Sequence, residues 1–195
     1  MILYHPNYFS ISFTKKMNKI KATLLSKKDM NRVLLRLSHE VIEKNNSIEN
    51  LAIIGIRTRG EIIAKRIFDN INSLHSESIS YGTLDVTFYR DDFSSNLGSP
   101  KVGPSNISFD INNKDIVLVD DVLYTGRTIR AAIEEIFSFG RPASIRLCVL
   151  IDRGHRELPI KADFIGKSYP TSINEHIHVY VSEIDKKEKV DLLSY

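Results

Sequence analysis

The sequence predicts an α/β fold: a doubly wound, mainly parallel central sheet flanked by helices, with a small cap or hood. Three observations carry the prediction. Apolar, β-branched runs at residues 51–56, 116–119 and 144–151 read as strands buried on both faces, as parallel strands are. Segments with apolar residues at helical spacing lie between them, so strands and helices alternate. The chain has 195 residues, 42% of them hydrophobic, which suffices for one sizeable core and predicts a single domain.

Taken in order, residues 1–18 mix Tyr, Phe, His and Pro without a basic segment and a continuous apolar stretch behind it, which argues against a signal peptide. They read as an extension, expected to be disordered, ahead of a single domain over 19–195, with Met17 a candidate original initiator. Ser26 is a suitable N-cap for a helix to about Lys44, with Met30, Val33, Leu34, Leu37 and Val41 facing inward. A strand at 51–56, a helix at 61–74 and a strand at 79–89 follow, the last running into Arg90, Asp91 and Asp92. Residues 94–113 are rich in Ser, Asn, Gly and Pro and predict a long loop, which in a compact domain is usually a lid or disordered. After the strand at 116–119, Ile129, Ala132, Ile133, Ile136 and Phe137 mark a helix to Phe139. A turn at Gly140, Arg141 and Pro142 leads to the strand at 144–151, and shorter strands near 163–166 and 176–181 would cap the strand ends.

The net charge of +3 is mild, so any contact with nucleic acid needs a local patch. The single cysteine, Cys148, sits in an apolar run and reads as a core residue, so no internal disulfide can form. With no apolar run of membrane-spanning length, this predicts a cytoplasmic protein without a membrane partner.

Function is most legible at 115–128. Asp120 and Asp121 follow a core strand, where open α/β sheets collect ligands. Val122, Leu123, Tyr124, Thr125, Gly126, Arg127 and Thr128 then lead into a helix whose N-terminal N–H groups suit a phosphate. Gly126 lets the backbone approach an anion, and the threonines add hydroxyl donors. That order suits a phosphorylated sugar; the alternative is a Thr-capped turn beside an incidental acid pair.

A second candidate is Gly55-Ile56-Arg57-Thr58-Arg59-Gly60-Glu61. Its glycine spacing is that of a P-loop, but Glu61 and Ile62 stand where Lys and Ser/Thr are required, which disfavours a nucleoside triphosphatase. A glycine-flanked turn with solvated arginines is the plainer reading. In the third, Arg90 at the entrance of the long loop would close over a polyanion and exclude water, unless it is merely a charged strand exit. Arg153 and His155 lie in a charged run after the last core strand; no nucleophile partners His155. His176 and His178 share a strand face without a third ligand and read as surface residues. Arg32, Arg36, His39 and Lys44 occupy the outer part of the first helix, either as a phosphate-tracking stripe or as a solvated face diluted by Glu40 and Glu43. Leu35 among them hints at a covered surface.

Residues 115–128 resemble the phosphoribosyl diphosphate (PRPP) motif of type I phosphoribosyltransferases. Together with 55–60, 84–92 and 152–159, in that order along the chain, they make it similar to the PyrR family: bacterial pyrimidine-operon attenuation proteins that also act as uracil phosphoribosyltransferases. The likeness spans about 19–190 and does not explain the extension or the 94–113 loop. It implies that uracil and PRPP give UMP and diphosphate, with Mg²⁺ held mainly through PRPP and water near Asp120 and Asp121. These acids and Arg90 would be catalytic. Arg57, Thr58, Arg59 and Gly60 would hold diphosphate, 122–128 and Arg153 the rest of the substrate. Arg32, Arg36, His39 and Lys44 would face pyrimidine-operon leader mRNA, in a homo-oligomer. Purine-specific relatives usually carry Asp where Tyr124 stands, which argues against a purine phosphoribosyltransferase. The other alternative is mainly an RNA-binding attenuator that senses UMP and catalyses weakly.

Overall fold

Residues 19–45, 48–75, 78–86 and 104–194 are described by the computed structural model. Their elements are β1 (Lys19–Ser26), α1 (Lys27–Lys44), β2 (Leu51–Ile56), α2 (Arg59–Leu74), β3 (Ser80–Leu84), β4 (Asp115–Leu123), α3 (Arg127–Phe139), β5 (Ser144–Asp152), β6 (Phe164–Ser168), β7 (Glu175–Tyr180), α4 (Ser182–Asp185) and β8 (Lys189–Ser194). The five strands β3-β2-β4-β5-β6 form a parallel sheet in that order. This is the predicted doubly wound architecture.

The apolar runs are continuous because both faces of the sheet are covered. On β4, Val117 and Val119 join the core with α1 and α2, while Ile116 and Leu118 join the core beneath α3. Met30, Val33, Leu34, Leu37 and Val41 are all buried, as the helical spacing requires. At the start of α1, Ser26 Oγ accepts from Asp29 N–H (3.3 Å) and Asp29 Oδ2 accepts from Ser26 N–H (3.1 Å), a capping box.

Several boundaries differ from the predicted ones. β4 does not end before the acids: its pairing with β5 continues through Val122 and Leu123, whereas its pairing with β2 stops at Val119. Asp120 and Asp121 therefore lie where one neighbour has ended. Because β2 and β4 are adjacent, with β3 beyond one and β5 beyond the other, this is also where the strand order reverses.

The cap is a three-stranded antiparallel sheet, β1-β8-β7, which adds two strands that the sequence did not predict, whereas the strand expected near 163–166 is not part of it: as β6 it pairs parallel with β5 and extends the main sheet. Among the residues of β1 only Leu25 is buried, so there is no alternation to read. The long loop also needs correction. Asn106 bridges Thr83 by reciprocal backbone bonds (2.9 and 2.8 Å), and Ile107, Phe109 and Ile111 pack on the α3 side of the sheet, so 104–111 is neither lid nor disordered. Residues 1–18 and 87–103, with Arg90, lie outside the described residues.

Candidate phosphoribosyl site

Three connections meet at the reversal point. The first, between β2 and α2, is only Arg57 and Thr58, joined by a cis peptide bond. Arg57 N–H donates to Leu84 O (2.8 Å), and its Nε lies 3.2 Å from Glu61 Oε2. Thr58 is exposed. Gly60 then brings α2 directly onto β4: a Cβ there would stand 2.8 Å from Val119 O and 2.9 Å from both Asp120 Cα and Oδ1. The loop and the acid pair are thus in backbone contact, which only glycine permits.

The acids form the second group. Asp120 is buried and Asp121 half-buried. Asp120 Oδ1 accepts from Asp121 N–H, and Asp121 Oδ1 from Val122 N–H, both at 2.9 Å. These bonds steady the carboxylates where the pairing of β4 with β2 has ended.

The third group is the turn into α3. Gly126 has φ +96°, a left-handed conformation that strains any side chain, and a Cβ there would face Ile160 and Leu158 at 3.3 and 3.4 Å. The glycine therefore serves the turn's geometry and the packing of 158–160, a reason the sequence did not reveal. The first bond within α3 runs from Arg130 N–H to Gly126 O (2.9 Å), so the preceding amides lie beyond the helix's own hydrogen bonding. Buried Thr125 accepts Arg127 N–H on Oγ1 (3.3 Å), while its carbonyl accepts Glu157 and Leu158 N–H. Thr128 is half-buried, and exposed Arg127 pairs with Glu157 (2.5 Å).

Arg156 organises this turn. Its Nη1 donates to Tyr124 O (2.7 Å), Leu123 O (3.3 Å) and Gly154 O (3.1 Å), its Nε to Ile160 O (3.1 Å), and its Nη2 pairs with Asp152 (2.6 Å). Sequence reasoning missed this role, because backbone carbonyl partners leave no trace in residue identity. Arg153 is buried with Cζ 3.8 Å over the Tyr124 ring, and donates to Thr171 Oγ1 (3.2 Å) and Glu175 O (2.9 Å). His155 Nε2 lies 2.5 Å from Thr171 O.

The hood, through α4 between β7 and β8, also reaches the 57–60 loop. Arg59 donates through Nε and Nη2 to Asp185 Oδ2 and Oδ1 (3.3 and 2.9 Å). Burial raises the Asp185 pKa, but the hydrogen bonds from Arg59 and Val181 N–H bring it below its ordinary value. His176 and His178 are half-buried, not the surface residues expected, with rings 6.3 Å apart. His178 titrates below the usual imidazole value, first through burial, then through the charge of Arg59 and His176; Asp185 and Asp121 pull the other way. Its electrostatic neighbours thus include groups from both the loop and the acid pair.

On α1, Arg32 and His39 are exposed, and beside them Leu35 keeps 46% of its surface. Arg36 instead reaches β6, donating to Ile165 O (3.1 Å) and Gly166 O (2.6 Å), and it also pairs with Glu40. Lys44 Nζ lies 5.3 Å above the Phe164 ring. The expected stripe is half engaged within the fold.

The sheet and its converging turns define a protein of the phosphoribosyltransferase class, and the phosphoribosyl transferase domain family matches residues 21–183. A bifunctional protein PyrR from Caldicellulosiruptor bescii is 53% identical over 174 residues, 89% of this chain and 95% of that one. Another from Clostridioides difficile is 48% identical over 88% of this chain and 97% of its own. The chain belongs to the PyrR family. Among solved structures, a hypoxanthine phosphoribosyltransferase from Staphylococcus aureus aligns with TM-score 0.68 at 19% identity, covering 90% of this chain and 92% of its own. A hypoxanthine-guanine phosphoribosyltransferase from Bacillus anthracis gives 0.67 at 18%, covering 89% and 98%. These two establish the shared fold.

Proposed function

We propose that the chain condenses uracil with PRPP to give UMP and diphosphate, and that it also binds pyrimidine-operon leader RNA in response to UMP. The observation that carries the enzymatic half is the backbone contact of Gly60 with Asp120, which brings the 57–60 loop to the acids at the strand-order reversal. In this reading the loop amides and Arg59 hold diphosphate, Asp120 and Asp121 hold the ribose hydroxyls, and the N-terminus of α3 with Thr125 and Thr128 holds the 5′-phosphate. Breaking the glycosidic bond to diphosphate leaves a ribosyl cation, which the two carboxylates stabilise electrostatically without a covalent nucleophile. The same carboxylates would stand beside a Mg²⁺ held mainly through PRPP and water, and the ion, when bound, would neutralise charge developing on diphosphate.

Tyr124 favours a pyrimidine, because it offers no carboxylate to a purine ring nitrogen, and its ring is held by Arg153. The name bifunctional protein carried by the relatives supports a second, regulatory role, as do exposed Arg32 and His39. We assign one phosphoribosyltransferase domain to 19–195, working in a reducing cytoplasm; in support, the chain has a single cysteine and so no internal disulfide. No helix among the described residues is long and apolar enough to cross a membrane. The test is initial-rate formation of nucleotide from PRPP and Mg²⁺ with uracil, orotate, hypoxanthine and guanine. Uracil should be the preferred base by orders of magnitude; a preference for hypoxanthine or guanine would refute the assignment.

A further inference from the structure

Two arginines of α2, seven positions and so two turns apart, reach the hood, and they are held differently. Arg66 donates to Glu183 (2.8 and 3.0 Å from Nη2, 3.1 Å from Nε), to Glu188 (2.6 Å) and to Ser182 Oγ (3.3 Å). Arg59 meets one carboxylate among the described residues, that of Asp185. Arg66 is held by three side chains, and Arg59 by a single carboxylate fork.

Arg59 adjoins Gly60, the residue in contact with Asp120, so it belongs to the loop assigned above to diphosphate, and the inference rests on that assignment. A carboxylate in fork contact with a guanidinium takes up the parallel N–H donors that a phosphoryl oxygen would use. We propose that Asp185 is a built-in competitor anion, holding Arg59 before substrate binds and yielding it to diphosphate, while Arg66 keeps the hood docked.

The exchange is local. Asp185 Oδ2 also accepts Val181 N–H (3.0 Å), so the carboxylate keeps a hydrogen bond when Arg59 leaves. The Arg59 side chain is 23% exposed, which gives it a route to swing through solvent without disturbing the core. The apparent affinity for diphosphate is then lowered by the fraction of molecules in which Arg59 is still held, whereas UMP, which carries no diphosphate, is indifferent.

Calorimetric titrations of magnesium diphosphate and of UMP onto the full chain test this, using wild type, Asp185→Asn, Arg59→Gln and the double variant. Asp185→Asn should tighten diphosphate binding about three- to tenfold and leave UMP within about twofold. In the Arg59→Gln background the same replacement should change diphosphate binding by less than about twofold. If Asp185→Asn leaves diphosphate binding unchanged or weakens it, Asp185 positions Arg59 and does not compete. An equal gain without Arg59 would reduce it to a nearby negative charge; either result overturns the proposal. Asp185→Ser repeats the comparison if the Asn variant melts early. Absence of diphosphate binding in the wild type would remove the loop assignment and the competitor together, whereas binding indifferent to Asp185 removes the competitor alone.

Discussion

Replacing Gly60 by alanine should damage the site more than the fold. The added Cβ would meet Val119 O at 2.8 Å and Asp120 Cα at 2.9 Å, and both are backbone atoms that cannot rotate away. Ordinary contact begins at 3.4 Å, so α2 and β4 must part by roughly half an ångström. Overpacking of this kind costs about 1–3 kcal/mol, and in a domain of this size each kcal/mol lowers Tm by about 2–4 °C. In the proposed function the 57–60 loop holds diphosphate, so displacing it from the acids would act on the reaction itself, where misplacement by about 1 Å can cost about 100-fold. The expected outcome is a Tm lowered by about 2–12 °C with kcat/KM for PRPP reduced by one to two orders of magnitude, measured by thermal unfolding and steady-state kinetics. A folded variant with kcat/KM within about threefold of wild type would refute the argument that this contact sets the geometry of the site.

Three further outcomes follow from the same structure. Arg156→Met should free the carbonyls of Leu123 and Tyr124 and loosen the 124–128 turn, weakening UMP binding by calorimetry about 10- to 100-fold; Arg156→Lys should recover little, lacking the fork. Arg32→Ala should lower leader-RNA affinity and reduce the slope of log K against log salt by about 0.7–0.9 with phosphoribosyl transfer unchanged, whereas Arg36→Ala is a poor probe because it also unties α1 from β6. The hood should loosen in acid: Glu175, hydrogen-bonded by Lys21, Ser172 N–H and Ser172 Oγ, is lowered from 4.5 to about 2, so its stabilising contribution is complete above about 4.5 and is lost as pH falls towards 2. Lys21→Ala should move that loss to higher pH, read by thermal unfolding across the pH range.

The sheet and the acid pair were legible because their signals are local. β2, β4 and β5 are apolar runs, and the acids and the turn into α3 are contiguous in sequence. β1 was not legible, because it is an exposed edge defined by pairing with β8 near the other end of the chain. The Arg59 to Asp185 contact spans 126 positions and leaves no periodic trace. His178 was misjudged for the same reason: a polar strand face reads as solvent-exposed until another element is seen to cover it. In residues 104–113, turn-forming composition masked the alternation of Ile107, Phe109 and Ile111.

Hydrogen–deuterium exchange with and without PRPP and Mg²⁺ tests most directly whether the three connections form one substrate site. A single site slows exchange in the segments covering 57–60 and 123–129 and leaves 32–39 on α1 unchanged. Protection confined to other segments, with these two unaffected at saturating PRPP, would contradict it.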